Sequence, residues 1–540
     1  MTRVLLIGAT GVFGSLLARS LAREPGVALS LAGRTARTLN ALAAELDGAA
    51  IAVLDRERIT AESLAGFDVV IDAAGPFQHS HSAVIEAAIA ARCHYIDIAD
   101  GRDFVIGVGR FDDAARAAGV AVLSGASSTP ALSHAAIDRM TGGWRSIAAI
   151  RAVLRPGSSV RGMSLVRAVL SYLGRPVRVF RDGGWTTARG WGQTRRAEIP
   201  GLATGAASLC ETPDLDLFAE RYRPAVAAEF LTSLEVPLMH WGLAALGLLV
   251  RAGLAPRLER HAGALRILAA IGALLGSNRG GMTVEVSGSD GEGETAFARW
   301  WLWAPPGAGP NVPTFAALAL VRRIRDGHPP EAGARPCVGV LDLDDFAADF
   351  ARFGMESGVD IFPPQPPLFA RALRTAFPTL PAVNRRIHAP GPALVLHGEA
   401  DIDGAETSAG RLAARLFGFP TEGKAVPLRA VIEATPAGTE RWARVFPGRV
   451  LRSTMDNPDA ATRSVEERFG LVRFRLRLDP REDGLDMVLR SARIGPLPLP
   501  RFLLPRIAAA ERIDGERHLF DVAIGLPLLG RLVRYRGWLH

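Results

Sequence analysis

Three evenly spaced glycines near the start constrain the fold of this 540-residue chain more than any other feature. Gly8, Gly11 and Gly14 follow the apolar run Val4–Ile7, which is long enough for a buried strand, and precede leucines at helical spacing. Strand, glycine turn and helix in this order predict a dinucleotide-binding unit, although a plain βα turn is the alternative. Gly8 would form the turn, Gly11 would admit a pyrophosphate, and Gly14 would let helix and strand pack.

Apolar runs and helical segments then alternate as far as residue 125. Strands are predicted at 27–32, 50–54, 68–73, 94–98 and 120–125, and helices at 36–46, 82–92 and 112–119. This alternation predicts an α/β fold with a Rossmann-like, doubly wound parallel sheet. Because ligands bind at the carboxyl ends of such strands, we take residues of the turn and of the following strand ends as candidate cofactor contacts. They are Gly8, Thr10, Gly11, Val12, Phe13, Gly14, Arg34, Asp55, Ala74 and Gly75.

The residue after the second strand indicates which cofactor would bind. An acid at this point binds the ribose 2′-hydroxyl of NAD, whereas an arginine can pair with the 2′-phosphate of NADP. The sequence has Arg34 there, followed by Thr35 and Arg37, and no acid. The pattern therefore favours NADP, with a solvated arginine at a strand end as the alternative.

Five short motifs lie along residues 8–130. They are Gly-Ala-Thr-Gly-Val-Phe-Gly at 8–14, Ala-Gly-Arg at 32–34, Asp-Ala-Ala-Gly-Pro-Phe at 72–77, His-Tyr-Ile-Asp at 94–97 and Gly-Ala-Ser-Ser-Thr-Pro at 125–130. Together they resemble the saccharopine dehydrogenase-like oxidoreductases over roughly residues 1–355. The resemblance implies a dinucleotide-binding Rossmann domain at 1–130, rejoined by about 312–358, and an α+β substrate or dimerisation domain at 131–311. It does not identify the substrate.

Candidate catalytic residues are the polar side chains near strand ends. His79, Tyr95 and Asp97 are the residues that we select, because a dehydrogenase needs a proton donor near the nicotinamide. A short-chain dehydrogenase pair is excluded, since the only lysine is Lys424 and no tyrosine precedes it by four residues. No Cys/His spacing predicts a metal site.

Composition restricts the cellular setting and the class of partner. Hydrophobic residues make up 48% of the chain and charged residues 22%, as expected for a globular protein. Three distant cysteines predict no disulfide framework, and Val4–Ile7 is too short for a signal peptide, so we expect a cytoplasmic protein. The net charge of +8 comes from arginines scattered among acids, so we expect no nucleic-acid partner.

The middle of the chain contains two strongly apolar stretches, Val236–Val250 and Leu265–Leu275, joined by a basic segment with Arg251, Arg257 and Arg260. Each is shorter than the roughly 20 residues that cross a bilayer. Buried helices, a homodimer contact and peripheral attachment of 236–275 to the inner face of the membrane are the alternatives. The runs around these stretches, at 146–154, 177–180, 282–286 and 295–303, predict an antiparallel sheet.

A proline-rich linker at 362–367 precedes a region of different character. Alternating runs at 428–433, 439–444, 471–478, 485–492, 517–525 and 531–538 predict a curved or closed antiparallel β domain at 368–540, with a helix at 408–416. Three motifs, Pro-Leu-Pro-Leu-Pro at 496–500, Phe-Asp-Val at 520–522 and Gly-Trp-Leu at 537–539, resemble a bacterial domain of unknown function.

The sequence thus predicts an NADP-dependent oxidoreductase acting on a small or lipid-like carbonyl, imine or enoyl compound. Two alternatives stay open at this point. One is a non-catalytic NADP(H) sensor whose C-terminal domain binds a partner or lipid, and the other is an enoyl reductase-like enzyme at a membrane surface.

Overall fold

The computed structural model describes residues 1–157, 162–255, 258–459 and 461–540. Within these ranges it leaves out the side chains of residues 79, 164, 165, 259 and 269. Arg257 lies outside the described residues.

The N-terminal segment alternates between strand and helix, as its apolar pattern predicts. Its strands are β1 (Thr2–Ile7), β2 (Val27–Gly33), β3 (Ala50–Val53), β4 (Val69–Asp72), β5 (His94–Asp97) and β6 (Ala121–Ser124). Its helices are α1 (Val12–Leu21), α2 (Ala36–Glu45), α3 (Ala83–Ala90), α4 (Arg102–Ile106), α5 (Asp112–Ala118) and α6 (Ser133–Thr141).

The middle segment combines long strands with apolar helices. Its strands are β7 (Ser146–Arg155), β8 (Pro176–Arg181), β9 (Gly184–Arg189), β10 (Arg195–Ala197), β11 (Gly205–Leu209), β12 (Ala227–Ser233), β13 (Gly280–Ser289), β14 (Thr295–Ala304), β15 (Gly333–Pro336) and β16 (Glu356–Phe362). Its helices are α7 (Met163–Tyr172), α8 (Asp214–Tyr222), α9 (Pro237–Arg251), α10 (Ala262–Ala273), α11 (Val312–Arg325) and α12 (Ala347–Arg352).

These strands form two sheets. The first has the order β15-β6-β5-β4-β1-β2-β3 with every pair parallel, which confirms the Rossmann-like prediction. The second has the order β10-β11-β12-β7-β13-β14-β16, and β8 and β9 extend from β12. The prediction of an antiparallel second sheet is wrong in one respect, because its central strands β7 and β12 run parallel. α11 packs against α1, and β15 pairs with β6, so the chain returns to the first sheet before β16 joins the second.

The C-terminal segment is a closed antiparallel barrel. Its helices are α13 (Leu368–Leu373), α14 (Ala382–Ile387) and α15 (Ser408–Leu416). Its strands are β17 (Ala393–Asp403), β18 (Gly423–Ala434), β19 (Glu440–Phe446), β20 (Arg449–Asp456), β21 (Ser464–Phe469), β22 (Val472–Arg481), β23 (Gly484–Ile494), β24 (Leu497–Pro498), β25 (Arg506–Asp514), β26 (Arg517–Leu526) and β27 (Gly530–Leu539). Pairing of β22 with β23 closes the ring, and β24 lies outside it.

The barrel docks on the second sheet through apolar and ionic contacts. Val226 and Ala227 at the start of β12 form a small buried cluster with Val431 and Ala443 of the barrel. Beside this cluster, Arg151 of β7 forms hydrogen bonds with Glu433 of β18. The two parts therefore share a desolvated interface as well as the linker that joins them.

The helices α9 and α10 form the two apolar stretches noted in the sequence. Leu238 is 76% exposed and Leu274 is 84% exposed, so the alternative of fully buried helices is wrong. Among the described residues, no helix has both the length and the apolar content that a membrane-crossing helix needs.

Candidate functional site

A large cavity lies between the carboxyl edge of the first sheet and the second sheet. Its volume is about 1630 Å³, whereas a typical ligand pocket holds roughly 300–1,000 Å³. Its wall includes the glycine turn and residues of α7, α9 and α10, and Gly162 at the start of α7 lies beside Val12 of α1. The cavity is therefore large enough for a dinucleotide and a second molecule beside it.

The glycine turn has the geometry that its spacing predicts. Gly8 has φ of +75°, and a Cβ atom there would lie 2.8 Å from the backbone nitrogen of Ala74. A Cβ atom on Gly14 would lie 2.1 Å from the Gly8 carbonyl oxygen. Only glycine fits at these two positions, and the close approach brings the start of α1 against the end of β1.

The N-terminus of α1 fits a pyrophosphate. Gly11 is the N-cap residue, no described side chain caps this helix end, and Val12 and Phe13 of its first turn line the cavity. The free backbone N–H groups of a first turn bind anions, and the helix dipole adds to that attraction. This end of the cavity can therefore hold the phosphates of a dinucleotide.

The predicted cofactor residues divide into two groups. Nine of them line the cavity: Gly8, Thr10, Gly11, Val12, Phe13, Arg34, Asp55, Ala74 and Gly75. Gly14 is buried against the Gly8 carbonyl, where it shapes the turn instead of contacting a ligand.

Arg56 is a cavity residue that the sequence analysis missed. Its Nε donates to Asp72 Oδ2 at 2.7 Å, and its Nη1 donates to Ser80 Oγ at 2.8 Å. Nη2 is buried without a partner among the described residues, and the guanidinium lies 5.1 Å from the centre of the Phe77 ring. Arg56 thus presents a fixed donor at the cavity wall, at the end of β3.

The structure argues against a catalytic role for two of the three residues selected from the sequence. Tyr95 is fully buried in the apolar core under α3 and α5, and Asp97 is fully buried at the end of β5. Neither lies on the described cavity wall. Asp97 Oδ1 instead accepts hydrogen bonds from the backbone nitrogens of Ala99 and Gly125, at 2.9 and 2.7 Å, and so joins two strand ends. The His79 side chain lies outside the described residues.

Asp97 makes the stability of the fold depend on pH. Burial raises the pKa of its carboxyl from 3.8 to about 6, so the folded state binds a proton more tightly than the unfolded state. The contribution of Asp97 to the free energy of unfolding should therefore be highest below about pH 4 and fall as the pH rises through 6. At about 1.4 kcal/mol per pKa unit, we expect wild type to lose about 3 kcal/mol more than Asp97→Asn across this window. Urea denaturation of both proteins at each pH measures the difference, and parallel pH curves would contradict the assignment.

The cavity wall also carries a set of polar residues. The hydroxyl of Tyr172, the last residue of α7, is 3.1 Å from Sγ of Cys210, which follows β11. In a second contact, Gln78 Nε2 donates a hydrogen bond to Asp100 Oδ1 at 3.2 Å. All four residues line the cavity. We call this set of residues the polar floor.

The electrostatics of the polar floor keep its groups protonated. Burial is the main cause that raises the pKa of Tyr172 well above 10, and the neighbouring Cys210 adds to the effect. Burial also raises the pKa of Cys210 to about 11 and that of Asp100 above its ordinary value. Near neutral pH the phenol and the thiol are therefore neutral donors, and Asp100 takes up a proton more readily than an exposed aspartate.

A large part of the cavity wall is apolar. This part is formed by side chains from three helices: Met163, Val166 and Val169 of α7, Met239, Leu243 and Leu246 of α9, and Leu265, Leu268 and Ile271 of α10. This apolar gallery suits a hydrocarbon chain, because burial of each methylene contributes about 0.8 kcal/mol.

Comparisons with known proteins agree with this geometry. Residues 4–123 match the family described as saccharopine dehydrogenase NADP binding domain. Residues 380–539, which contain the barrel strands, match a domain of unknown function, DUF4166. The N-terminal part is thus a nicotinamide-dinucleotide-binding domain, and the recognition of both segments from their motifs is confirmed. No curated protein matches the chain.

Several solved structures are similar to part of the chain. Apo saccharopine dehydrogenase (L-Glu forming) from Saccharomyces cerevisiae is 16% identical with a TM-score of 0.49, over 67% of this chain and 100% of its own. A probable dehydrogenase from Thermotoga maritima is 12% identical with a TM-score of 0.33, over 64% and 92%. The WlbA dehydrogenase from Thermus thermophilus, in complex with NAD and α-ketoglutarate, is 14% identical with a TM-score of 0.32, over 64% and 92%.

Proposed function

We propose that this chain, whose residues 4–123 match the saccharopine dehydrogenase NADP binding domain family, is an NADP-dependent oxidoreductase. Its substrate would be an apolar, lipid-like molecule with a carbonyl, imine or enoyl group. One observation carries the proposal: a single cavity joins the glycine turn, the polar floor and the apolar gallery. A dinucleotide at the turn would place its reactive end toward the polar floor, with the gallery left for the substrate chain.

The residues of the polar floor would act on the reacting group. A bound nicotinamide supplies hydride transfer. Tyr172, as a neutral donor, would hydrogen-bond to the oxygen or nitrogen on which negative charge develops. Asp100, with its raised pKa, would exchange a proton at that group. The gallery would exclude water from the reaction.

A matched substrate panel tests the proposal. NADPH oxidation is followed by absorbance with aldehydes, imines and enoyl esters, each in a short-chain and a long-chain form. We expect turnover with long-chain members of one class and little with their short-chain counterparts, because only the former fill the gallery. Preference for the short-chain members would overturn the substrate class. Tight NADPH binding with no turnover on any member would instead favour a sensor.

Arg34 is expected to select the cofactor. It is exposed at the end of β2 and lines the cavity, where its guanidinium would pair with the 2′-phosphate. Charge-assisted hydrogen bonds contribute about 1.5–3 kcal/mol, so Arg34→Ala should weaken NADPH binding roughly 10- to 100-fold and leave NADH binding nearly unchanged. Fluorescence titration of both cofactors measures this. Arg37→Ala is the control, because Arg37 is also exposed but lies off the described cavity wall. Equal weakening of both cofactors would contradict the role.

A further inference from the structure

An apolar surface surrounds the open end of the gallery. Ten of the large, exposed apolar side chains lie between residues 238 and 275, on α9, α10 and the turns that follow them. Among them Leu248 is 63% exposed, Leu254 is 75% exposed and Leu274 is 84% exposed. A monomer rarely leaves so dense an apolar patch in water, which indicates that another phase or molecule covers it.

The charged residues within the α9–α10 segment are almost all basic. Arg251 ends α9, Arg260 precedes α10 and Arg266 lies within it, and all three are exposed. Between residues 236 and 276 the sequence has a single acid, Glu259. An apolar face bordered by arginines is complementary to the interior and the headgroups of an anionic bilayer.

The same surface is continuous with the cavity. Leu238, Ile271 and Leu274 are strongly exposed and also line the cavity wall. The gallery therefore opens within the apolar face and not beside it. A molecule that leaves a bilayer through this opening would pass from hydrocarbon to hydrocarbon without crossing water.

We propose that the α9–α10 surface docks on an anionic membrane and that the gallery takes its ligand directly from the bilayer. A second copy of the chain fits this surface less well. Two such faces brought together would place Arg251, Arg260 and Arg266 of one copy near those of the other with few acids to offset them. The docking does not depend on the proposed reaction. The delivery of a substrate to the cavity, by contrast, rests on the proposed function.

Vesicle flotation of the full chain tests the docking. The probes are vesicles of phosphatidylcholine alone and of equal parts phosphatidylcholine and phosphatidylserine, at low and high salt. We expect flotation with the anionic vesicles at low salt, and weaker flotation at high salt, because salt screens the arginines. Failure to float with anionic vesicles at low salt would overturn the proposal.

Two sets of variants separate the apolar and the ionic contributions. Leu248→Asp with Ile267→Asp changes two exposed side chains that lie off the described cavity wall, and it should abolish flotation while NADPH binding is kept. Arg251→Glu, Arg260→Glu and Arg266→Glu together should lower partitioning at least 100-fold, since each arginine near an anionic surface contributes about fivefold. Leu471→Asp is the control, because Leu471 is 75% exposed on the barrel. Equal loss with the control would overturn the proposal.

The oligomeric state of the protein tests whether a second copy of the chain, and not a membrane, covers the α9–α10 surface. Light scattering of the wild type and of Leu248→Asp with Ile267→Asp is measured without vesicles. A wild-type dimer that becomes a monomer in this variant would assign the surface to a second copy and overturn the membrane proposal. The same oligomeric state in both proteins, together with variant-sensitive flotation, would support it. A variant that floats poorly but also fails to bind NADPH is replaced by the arginine variant, whose exposed positions tolerate substitution.

Discussion

Tyr172→Phe is expected to lower kcat by about 100- to 1,000-fold while the Kd for NADPH stays unchanged. The phenol is nearly fully buried on the cavity wall, and its hydroxyl lies 3.1 Å from Cys210 Sγ. A donor held in place before the reaction stabilises developing negative charge without reorganisation, and its loss affects the transition state more than the bound ground state. The measurement uses the panel substrate that wild type turns over fastest, with kcat from nicotinamide absorbance and Kd from fluorescence titration.

The pH dependence and a control tyrosine make this prediction specific. Because the pKa of Tyr172 lies well above 10, the rate should show no tyrosine ionisation between about pH 6 and 9. Tyr222→Phe removes another largely buried hydroxyl, one that donates to Asp138 Oδ1 at 2.8 Å and lies off the described cavity wall. It should leave kcat almost unchanged. A similar loss of kcat in both variants would assign Tyr172 to structure alone.

The first sheet could be predicted because its signals are local. An apolar run, a glycine turn and a leucine-spaced helix are neighbours in sequence, and each restricts the backbone by itself. The steric reason for the glycines is also local, since a Cβ atom on Gly14 would lie 2.1 Å from the Gly8 carbonyl oxygen. The position of Arg34 follows from the end of β2 in the same way.

Two of the catalytic candidates, Tyr95 and Asp97, lie off the described cavity wall because side-chain direction is not local. Tyr95 lies in β5, and its side chain belongs to the buried cluster that also contains Val84 and Ala88 of α3 and Ala115 of α5. The polar floor combines Gln78, Asp100, Tyr172 and Cys210, which come from separate segments of the chain and share no spacing pattern. Contacts between distant parts of the chain, such as that of Tyr172 with Cys210, bring them to one wall.

The sequence predicted a curved or closed antiparallel β domain, but it predicted only some of the barrel strands. β18, β19, β22, β23, β26 and β27 were expected, whereas β17, β20, β21 and β25 were not. Two of the missed strands place a charged residue in the interior, since Glu467 of β21 and Glu511 of β25 are buried. Polar residues then stand on both faces of these strands, so the alternation of apolar and polar residues is weak. Closure of the ring depends on the pairing of β22 with β23, which no single strand encodes. The parallel pairing of β7 and β12 was missed for the same reason.

Arg151→Met is expected to lower the free energy of unfolding by about 1.5–3 kcal/mol, the usual contribution of hydrogen bonds to charged groups. The loss stays in this range because Glu433 keeps its pair with Arg441 at 3.3 Å. Glu229 likewise keeps its pairs with Arg181 and Arg195. Arg151 Nη2 donates to Glu433 Oε2 at 2.7 Å across the barrel interface, and its Nε donates to Glu229 Oε2 at 3.2 Å. Glu433 is 3% exposed and Glu229 is fully buried. The surrounding arginines hold the pKa of both carboxyls below their ordinary values despite burial, so both are charged at neutral pH.

Two further variants test whether the interface pair causes this loss. Arg116→Met removes an exposed pair with Asp112 and should cost less than about 1 kcal/mol. Arg151→Met with Glu433→Met removes both charges and should recover much of the stability, because a buried ion pair contributes little beyond an apolar contact of similar size. Urea denaturation of wild type and the three variants measures these changes in stability. If Arg151→Met costs no more than Arg116→Met, the barrel is held by the apolar cluster around Val226 and Val431, and the ion pair serves only to align the two surfaces.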